Sequence, residues 1–210
     1  MKTIIYIDSF NLYYGRLKNT PFKWLNVSKL CSYLFPYDEI IKIKYFTAQV
    51  KNRLTDKDID RPNRQQIYLR TLKTIPNLEI IEGTFLTHKV DMKLASGTGY
   101  VEVIKSEEKG TDVNIATYLV HDAHKNKFEK AVIISNDSDL VTPIKIVKEE
   151  LCKHITVISP YERNSIQLKA VATDVRKIRN GVLRISQFDE KLSDSVGEFF
   201  IPEKWKLLQK

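Results

Sequence analysis

Residues 2–8, Lys-Thr-Ile-Ile-Tyr-Ile-Asp, form a nearly continuous apolar run that ends at a carboxylate. A short apolar run without alternation is typical of a strand that is buried on both faces of a parallel sheet. The segment Val27–Phe35 follows, and its apolar residues recur at helical spacing. The chain is therefore predicted to begin with a strand and then a helix.

The same alternation of strand and helix continues along the chain. The spacing predicts strands at Ile40–Thr47, Leu78–Phe85, Lys130–Ser135 and His154–Ile158, and helices at Arg61–Ile75, Asp112–His124 and Leu140–Leu151. Residues 88–105 are interrupted by Ser96-Gly97-Thr98-Gly99 and predict a hairpin insertion with a flexible tip. The pattern indicates an α/β fold with a central, mostly parallel sheet and helices on both faces.

The composition is that of an ordinary globular protein. Of 210 residues, 42% are hydrophobic and 29% are charged, which excludes collagen-like and largely disordered chains. The longest apolar runs are far below the ~20 residues that span a bilayer, and the N-terminus lacks the apolar core of a signal peptide. Cys31 and Cys152 show no spacing typical of zinc sites or disulfide frameworks. We expect a cytoplasmic protein with one domain over residues 1–188 and a tail over 189–210 that packs on the domain or on a partner.

The net charge of +8 is concentrated in two segments. Residues 51–73 carry seven basic and three acidic side chains, and residues 169–184 carry five basic and one acidic side chain. Clustered positive charge suits a polyanion, because each neutralised phosphate releases counterions. The alternative is a solvated basic surface without a ligand.

Carboxylates follow two of the predicted strands and begin one predicted helix. Asp8 comes directly after the first strand, and Asp137 and Asp139 follow the strand that ends at Ser135. Asp112 begins a helix on the side that faces the sheet. Because ligands of open parallel sheets bind beyond the carboxyl ends of the strands, we expect these acids at the functional edge.

Taken singly, Asp8, Asp112 and Asp137 are each better explained as helix N-caps. Together, four carboxylates at one sheet edge would repel one another and would require protonation or a bound cation. Oxygen ligands without His or Cys favour Mg²⁺ or Mn²⁺ over zinc. The acids are therefore predicted to bind one or two of these ions.

Three motifs in this order resemble the NYN domains of the PIN-like nuclease superfamily. They are Asp8-Ser9-Phe10-Asn11, similar to the opening Asp-x-x-Asn; Lys109-Gly110-Thr111-Asp112, similar to the Lys-Gly-x-Asp helix start; and Ser135-Asn136-Asp137-Ser138-Asp139, similar to the Ser-Gly-Asp-Ser-Asp turn. Asn136 stands where the family commonly has Gly, and Asn tolerates a left-handed backbone better than most residues. The resemblance implies a Rossmann-like α/β/α sandwich and a metal-dependent endoribonuclease.

The resemblance also implies roles for single residues. Asp8, Asp112, Asp137 and Asp139 would hold the metal ions, which would activate water for attack on a phosphodiester. Asn11 is expected to contact an acid or a phosphate, Ser135 to orient an acid, and Lys109 to bind phosphate. Capping, strand termination and surface charge are the structural alternatives for these three.

Substrate contacts are expected from the basic segment that follows the second strand. Arg53, Arg61 and Arg64 are predicted to bind the backbone of single-stranded RNA. Of the nearby aromatic residues, Tyr45 is predicted to belong to the core. His121 and His124 are predicted to be solvated, because no third metal ligand accompanies them.

A non-catalytic function remains open at this point. The same fold could serve as an RNA-binding or protein-scaffolding module in which the acids hold structural Mg²⁺ or no ion. Retention of all four acids favours the enzyme. A homo-oligomer or a regulatory protein partner is possible in either case.

Overall fold

A computed structural model of the protein describes residues 1–50 and 58–206. The strands in these residues are β1 (Lys2–Asp8), β2 (Glu39–Ala48), β3 (Leu78–Lys93), β4 (Tyr100–Lys109), β5 (Lys130–Ile134), β6 (His154–Ser159), β7 (Asp174–Lys177), β8 (Lys191–Asp194) and β9 (Gly197–Phe200). The α-helices are α1 (Ser9–Leu12), α2 (Val27–Leu34), α3 (Arg61–Leu72), α4 (Thr111–His124), α5 (Val141–Lys145), α6 (Ile166–Val171), α7 (Asn180–Ile185) and α8 (Glu203–Lys206).

The central sheet has seven strands in the order β4-β3-β2-β1-β5-β6-β7. All neighbouring pairs are parallel except β3 and β4, which form the antiparallel hairpin. Strand β1 lies between β2 and β5. Strands β2, β3 and β4 therefore lie on one side of β1, and strands β5, β6 and β7, which follow the hairpin in the chain, lie on the other. The crevice beside the carboxyl end of β1 is the place where such a sheet binds ligands.

Successive residues of β1 point to opposite faces and enter two separate cores. Ile5 and Ile7 pack on the face that α2, α3 and α7 cover. Ile4 and Tyr6 pack on the face that α4, α5 and α6 cover. The α/β fold class, with helices on both faces of a mostly parallel sheet, is therefore confirmed.

Several local predictions differ from the structure. The segment predicted as one helix over 140–151 is a 3-10 turn (Ser138–Leu140), α5 and a π-helical turn (Ile146–Glu150). The helical spacing of Val113, Ala116, Leu119 and Ala123 also predicts a buried stripe on α4, but Val113 is 68% exposed. It lies opposite Ile115, because two residues turn a helix by more than half a circle. The stripe that packs on the sheet contains Ile115, Leu119 and Ala123.

The C-terminal segment from residue 189 packs on the domain as far as the structure describes it. Strands β8 and β9 form a hairpin, and Arg70 of α3 binds both carboxylate oxygens of Asp194 at 2.6 and 2.7 Å. The ring of Trp205 lies 6.2 Å from that of Trp24 and 6.0 Å from that of Tyr68. The boundary at residue 188 stays a prediction. No helix within residues 1–50 and 58–206 is long and apolar enough to cross a membrane.

Candidate active site

An open cavity of about 380 Å³ lies at the carboxyl end of β1. Its acidic lining comes from three separate parts of the chain: Asp8 ends β1, Glu108 and Asp112 lie on either side of the junction between β4 and α4, and Asp137 follows β5. We call this space the acidic cavity. Three of the four acids predicted from the sequence therefore share one cavity.

Asp8 is buried and is held by three hydrogen bonds. The backbone N–H and the side-chain Nδ2 of Asn11 donate to its carboxylate at 2.9 and 2.6 Å, and Ser135 Oγ donates at 3.0 Å. Burial raises the pKa of Asp8, an effect that these donors oppose and that the nearby charge of Asp137 reinforces. Asp8 is thus both the N-cap of α1 and part of the cavity wall, so the capping role and the proposed ligand role are compatible.

The turn that carries Asp137 is braced from both sides. The Asp137 N–H donates to Ser135 Oγ at 3.1 Å, so Ser135 connects it to Asp8. The side-chain oxygen of Asn136 accepts hydrogen bonds from Ser159 Oγ and the Ser165 N–H at 3.0 and 2.7 Å. Asn136 does not adopt a left-handed backbone, which is found at Asn126 and Cys152 among the described non-glycine residues. It supports the turn through its side chain instead.

Asp112 lies in the first turn of α4, where the sequence pattern missed a neighbouring acid. Gly110 precedes the helix with a φ of 96° and has no side chain to cap it. Glu108 supplies the missing acceptor and takes hydrogen bonds from the Thr111 N–H, at 3.0 Å, and from the Thr111 hydroxyl. A glutamate two residues before the Gly was the available signal, but it has no distinctive spacing.

The electrostatics of the cavity are concentrated on Asp112. Burial raises the pKa of Asp112 to about 6, and the charges of Asp137, Asp8, Glu108 and Asp139 add to the increase in that order. A raised pKa means that the surroundings of this carboxyl group disfavour its negative charge. A bound cation would relieve this repulsion.

The donor chemistry of the cavity fits a hard divalent cation. Its potential ligands are oxygens from Asp8, Asp112 and Asp137, which Mg²⁺ and Mn²⁺ prefer. In residues 1–50 and 58–206, however, no three His, Cys, Asp or Glu side chains are close enough together to hold one ion. Binding would therefore require these side chains to move closer to one another.

The remaining predicted site residues lie around this cavity or outside it. Asp139 is exposed, does not line the cavity, and donates its N–H to Asp137 at 2.9 Å. Lys109 is also exposed and outside the lining, with its Nζ 3.1 Å from Glu107. Arg61 lines the cavity, whereas Arg64 does not. Arg53 lies outside the described residues.

A second cavity of about 140 Å³ adjoins the first, between α1, β2, α3 and the C-terminal segment. Phe10, Tyr14, Val50 and Arg61 line both cavities. We call this space the aromatic cavity, because rings from each of these parts of the chain contribute to its wall. Tyr45, which was predicted to be a core residue, is buried in its floor.

The family model of the NYN domain matches residues 2–179, which is most of the chain. The protein therefore belongs to the NYN domain family. A solved protein of unknown function from Vibrio parahaemolyticus has the same fold, with a TM-score of 0.57 and 18% sequence identity over 85% of this chain and 93% of that one.

One curated relative is named as a monooxygenase rather than as a nuclease. The 6-hydroxy-3-succinoylpyridine 3-monooxygenase HspA of Pseudomonas putida is 28% identical over 204 residues. The match covers 84% of this chain and 64% of the relative, so this chain spans less than two thirds of the relative's length.

Proposed function

We propose that the protein is a metal-dependent endoribonuclease that cleaves RNA phosphodiester bonds in the acidic cavity. One observation carries the proposal: Asp8, Asp112 and Asp137, from three separate elements, line one open cavity at the strand crossover. There, burial and the charges of Asp137 and Asp8 raise the pKa of Asp112. Membership in the NYN family supports the nuclease class. The oxygen-only donor set supports Mg²⁺ or Mn²⁺.

The residues of the cavity would have different roles in such a reaction. Asp8, Asp112 and Asp137 would hold one or two cations, which activate water and neutralise charge on the phosphate when bound. Asn11 and Ser135 fix the position of the Asp8 carboxylate through the hydrogen bonds described above. No nucleophilic side chain is required.

The substrate would be guided by positive charge at the wall of the same cavity. Arg61 lines the same cavity as the acids but carries a positive charge, and it would bind a phosphate of the RNA strand. Arg53, Arg64 and Lys109 stay predictions for further phosphate contacts, and Asp139 stays a prediction for a metal ligand at the rim. An open cavity with a basic and aromatic border suits single-stranded RNA.

The proposal is tested by incubating labelled single-stranded RNA with the protein and Mg²⁺ or Mn²⁺, with and without chelator. Cleavage should require metal, and Asp8→Asn and Asp137→Asn should each reduce the rate by at least about a hundredfold, because each removes several kcal/mol of charge stabilisation. Asp91→Asn is the matched control, since Asp91 is exposed on the hairpin and outside the cavity. It should cleave at the parental rate.

Binding of RNA should survive in the two cavity variants, because each loses a negative charge that repels phosphate. RNA that is bound but never cut by the parent protein, with either metal, would contradict the enzyme and support a non-catalytic binding module. Equal loss of binding and cleavage in a variant would indicate a folding defect, which circular dichroism of that variant would reveal.

A second candidate function is the oxidation of a small heteroaromatic acid. It is suggested by the name of the Pseudomonas putida relative and favoured by the aromatic cavity, which has cationic side chains in its lining. Metal-dependent RNA cleavage in the absence of any reductant separates the two candidates, because a monooxygenase reaction consumes electrons and hydrolysis does not.

A further inference from the structure

The aromatic cavity has a floor and a rim built from rings. Tyr45 and Tyr68 are buried in the floor, with ring centroids 6.4 Å apart. Trp205 of the C-terminal segment packs against Tyr68, and Tyr14 packs edge to face on Tyr13 at 5.2 Å. These contacts hold the rings in place before any ligand arrives, which lowers the entropic cost of binding a flat molecule.

The charge of this cavity is strongly positive. Lys23, Arg61, Arg64 and Lys204 line it, whereas Asp58 is the carboxylate in its described lining. Arg64 and Lys204 both bind Asp58, so this carboxylate is already shared by two cations. Lys23 has no carboxylate within ion-pair distance among the described residues. Burial and the charges of Lys204 and Arg64 lower the pKa of Lys23, as expected where positive charges accumulate.

Two polar side chains of the inner wall, Tyr68 and Gln65, are already paired with backbone groups. The Tyr68 hydroxyl donates to the Leu25 carbonyl at 2.7 Å. Gln65 accepts from the Val50 N–H at 2.7 Å and donates to the Ala48 carbonyl at 2.9 Å. The wall therefore offers apolar ring surface rather than free donors and acceptors, and it suits stacking more than the reading of a base edge.

The size of the cavity limits the ring system that it can take. An apolar cavity of about 150 Å³ in another protein binds benzene, a single six-membered ring. The aromatic cavity has about 140 Å³ and thus matches one six-membered ring better than a fused purine.

We propose that the aromatic cavity is a subsite for one unpaired pyrimidine nucleotide of an RNA strand, with the base among the rings and a phosphate at Arg61. This inference rests on the proposed function, because Arg61 also lines the acidic cavity and would connect the bound nucleotide to the bond that is cut. A base that enters the cavity cannot remain in a duplex, so the subsite selects single-stranded RNA. Uracil and cytosine should be accepted alike, because the inner polar groups are engaged.

Calorimetric titration in the presence of chelator tests the subsite without cleavage. Uridine 5′-monophosphate should bind at least about tenfold more tightly than ribose 5-phosphate, which has no base to stack. Cytidine 5′-monophosphate should match it, and guanosine 5′-monophosphate should bind more weakly. Nicotinate, a free heteroaromatic acid, should bind more weakly than uridine 5′-monophosphate.

Two variants and a matched control locate the binding. Lys23→Glu should weaken the binding of uridine 5′-monophosphate by about tenfold or more, because it replaces a positive charge in the cavity lining with a negative one that repels the phosphate. Lys125→Glu changes the net charge equally at an exposed position outside the cavity and outside both basic segments, and it should leave the affinity unchanged. Trp205→Leu should weaken binding, and Trp205→Phe should restore most of it, because a ring remains.

The subsite is overturned if ribose 5-phosphate binds as tightly as uridine 5′-monophosphate, if the two lysine variants behave alike, or if nicotinate binds more tightly than the nucleotide. Equal affinity for the guanine nucleotide would overturn the pyrimidine preference. RNA cleavage by a protein that binds no mononucleotide would overturn the subsite alone. Mononucleotide binding with the predicted selectivity, without RNA cleavage, would support the subsite and contradict only the nuclease proposal.

Discussion

Helix α4 carries an aspartate near each end, Asp122 buried and Asp112 half-buried, and the two have opposite surroundings. At the C-terminal end, Asp122 is fully buried and accepts hydrogen bonds from Lys44 at 2.5 Å, Lys127 at 2.9 Å and the Tyr6 hydroxyl at 3.0 Å. Burial alone would raise the pKa of Asp122, but Lys44 and Lys127 outweigh it and lower that pKa. At the other end, burial and neighbouring acids raise the pKa of Asp112 to about 6.

The difference distinguishes a carboxylate that is neutralised within the fold from one that we propose to be functional. The charge of Asp122 is neutralised within the fold, and the ammonium of Lys44 also lies 4.1 Å from the ring centre of Tyr118. Asp112 faces an open cavity that it shares with the carboxylates of Asp8, Glu108 and Asp137, and the negative charges of these neighbours repel its own. The fold completes the first site by itself, whereas our proposal is that the second is completed by a cation from solution. The predictions below test this contrast.

The largest effect should come from the structural site. Asp122→Ala should reduce the free energy of unfolding by about 3–5 kcal/mol, because it leaves the buried ammonium of Lys44 without its partner. Lys127→Ala removes a cation that is 48% exposed and should cost less than about 1 kcal/mol. Urea denaturation measures both. Similar losses in the two variants would contradict the central role of the Lys44 pair.

Removing a carboxylate from the acidic cavity should instead increase the free energy of unfolding. Asp112→Asn should raise the free energy of unfolding in chelator by about 1 kcal/mol, because it removes repulsion among the acids. Asp139→Asn should give a smaller rise, since Asp139 contributes least to the shift of Asp112. If Asp112 acted only on the helix dipole, its removal would lower stability by about 0.3–1 kcal/mol. Thermal denaturation in chelator distinguishes the two signs.

The two aspartates should also differ in their pH dependence. Because the pKa of Asp112 is raised to about 6, its protonation stabilises the fold below pH ~4, and this contribution is lost as the pH rises through about 6. The stability gap between Asp112→Asn and the parent should therefore be large at pH 7 and should close toward pH 4. The lowered pKa of Asp122 has the opposite consequence, and its contribution is lost only as the pH falls below the ordinary aspartate range. A gap for Asp112→Asn that stays constant from pH 4 to 7 would contradict the raised pKa.

The smallest expected effect concerns the cationic side chains near the cavity. Lys44 pairs with Asp122 inside the fold, whereas these side chains should bind phosphate. Arg61→Ala should reduce the salt dependence of RNA binding by roughly 0.5–1 in slope, the value for one phosphate contact. Arg64→Ala should reduce it less, because Asp58 already pairs with Arg64. Lys125→Ala, at an exposed position after α4 and outside both basic segments, is the control. An unchanged slope for both Arg61 and Arg64 would remove α3 from the RNA-binding surface.

The contrast also explains which features could be predicted from the sequence. Asp8 and Asp137 were predictable because apolar runs place them directly after neighbouring strands, and the topology brings strand ends together. Glu108 and Asp122 were not, since their roles depend on partners whose positions the local pattern does not encode. The partners of Asp122 come from β1, β2 and the loop after α4.

The aromatic cavity could not be predicted from the sequence pattern either. Its walls come from four distant parts of the chain, and single tyrosines at strand or helix spacing are indistinguishable from ordinary core residues. The C-terminal segment shows the same limit. Its sequence indicated packing on the domain or on a partner, and only the ring contacts of Trp205 with Trp24 and Tyr68 identify the domain as the surface it covers.

The central claim is that the acidic cavity binds a divalent cation through its own carboxylates. Thermal denaturation of the parent, Asp112→Asn and the exposed control Asp91→Asn over a series of Mn²⁺ concentrations tests it most directly. The account predicts that Mn²⁺ raises the Tm of the parent and of Asp91→Asn alike, as a ligand that binds only the folded state must, and raises that of Asp112→Asn much less. An equal rise in all three proteins, or no rise in the parent, would contradict it.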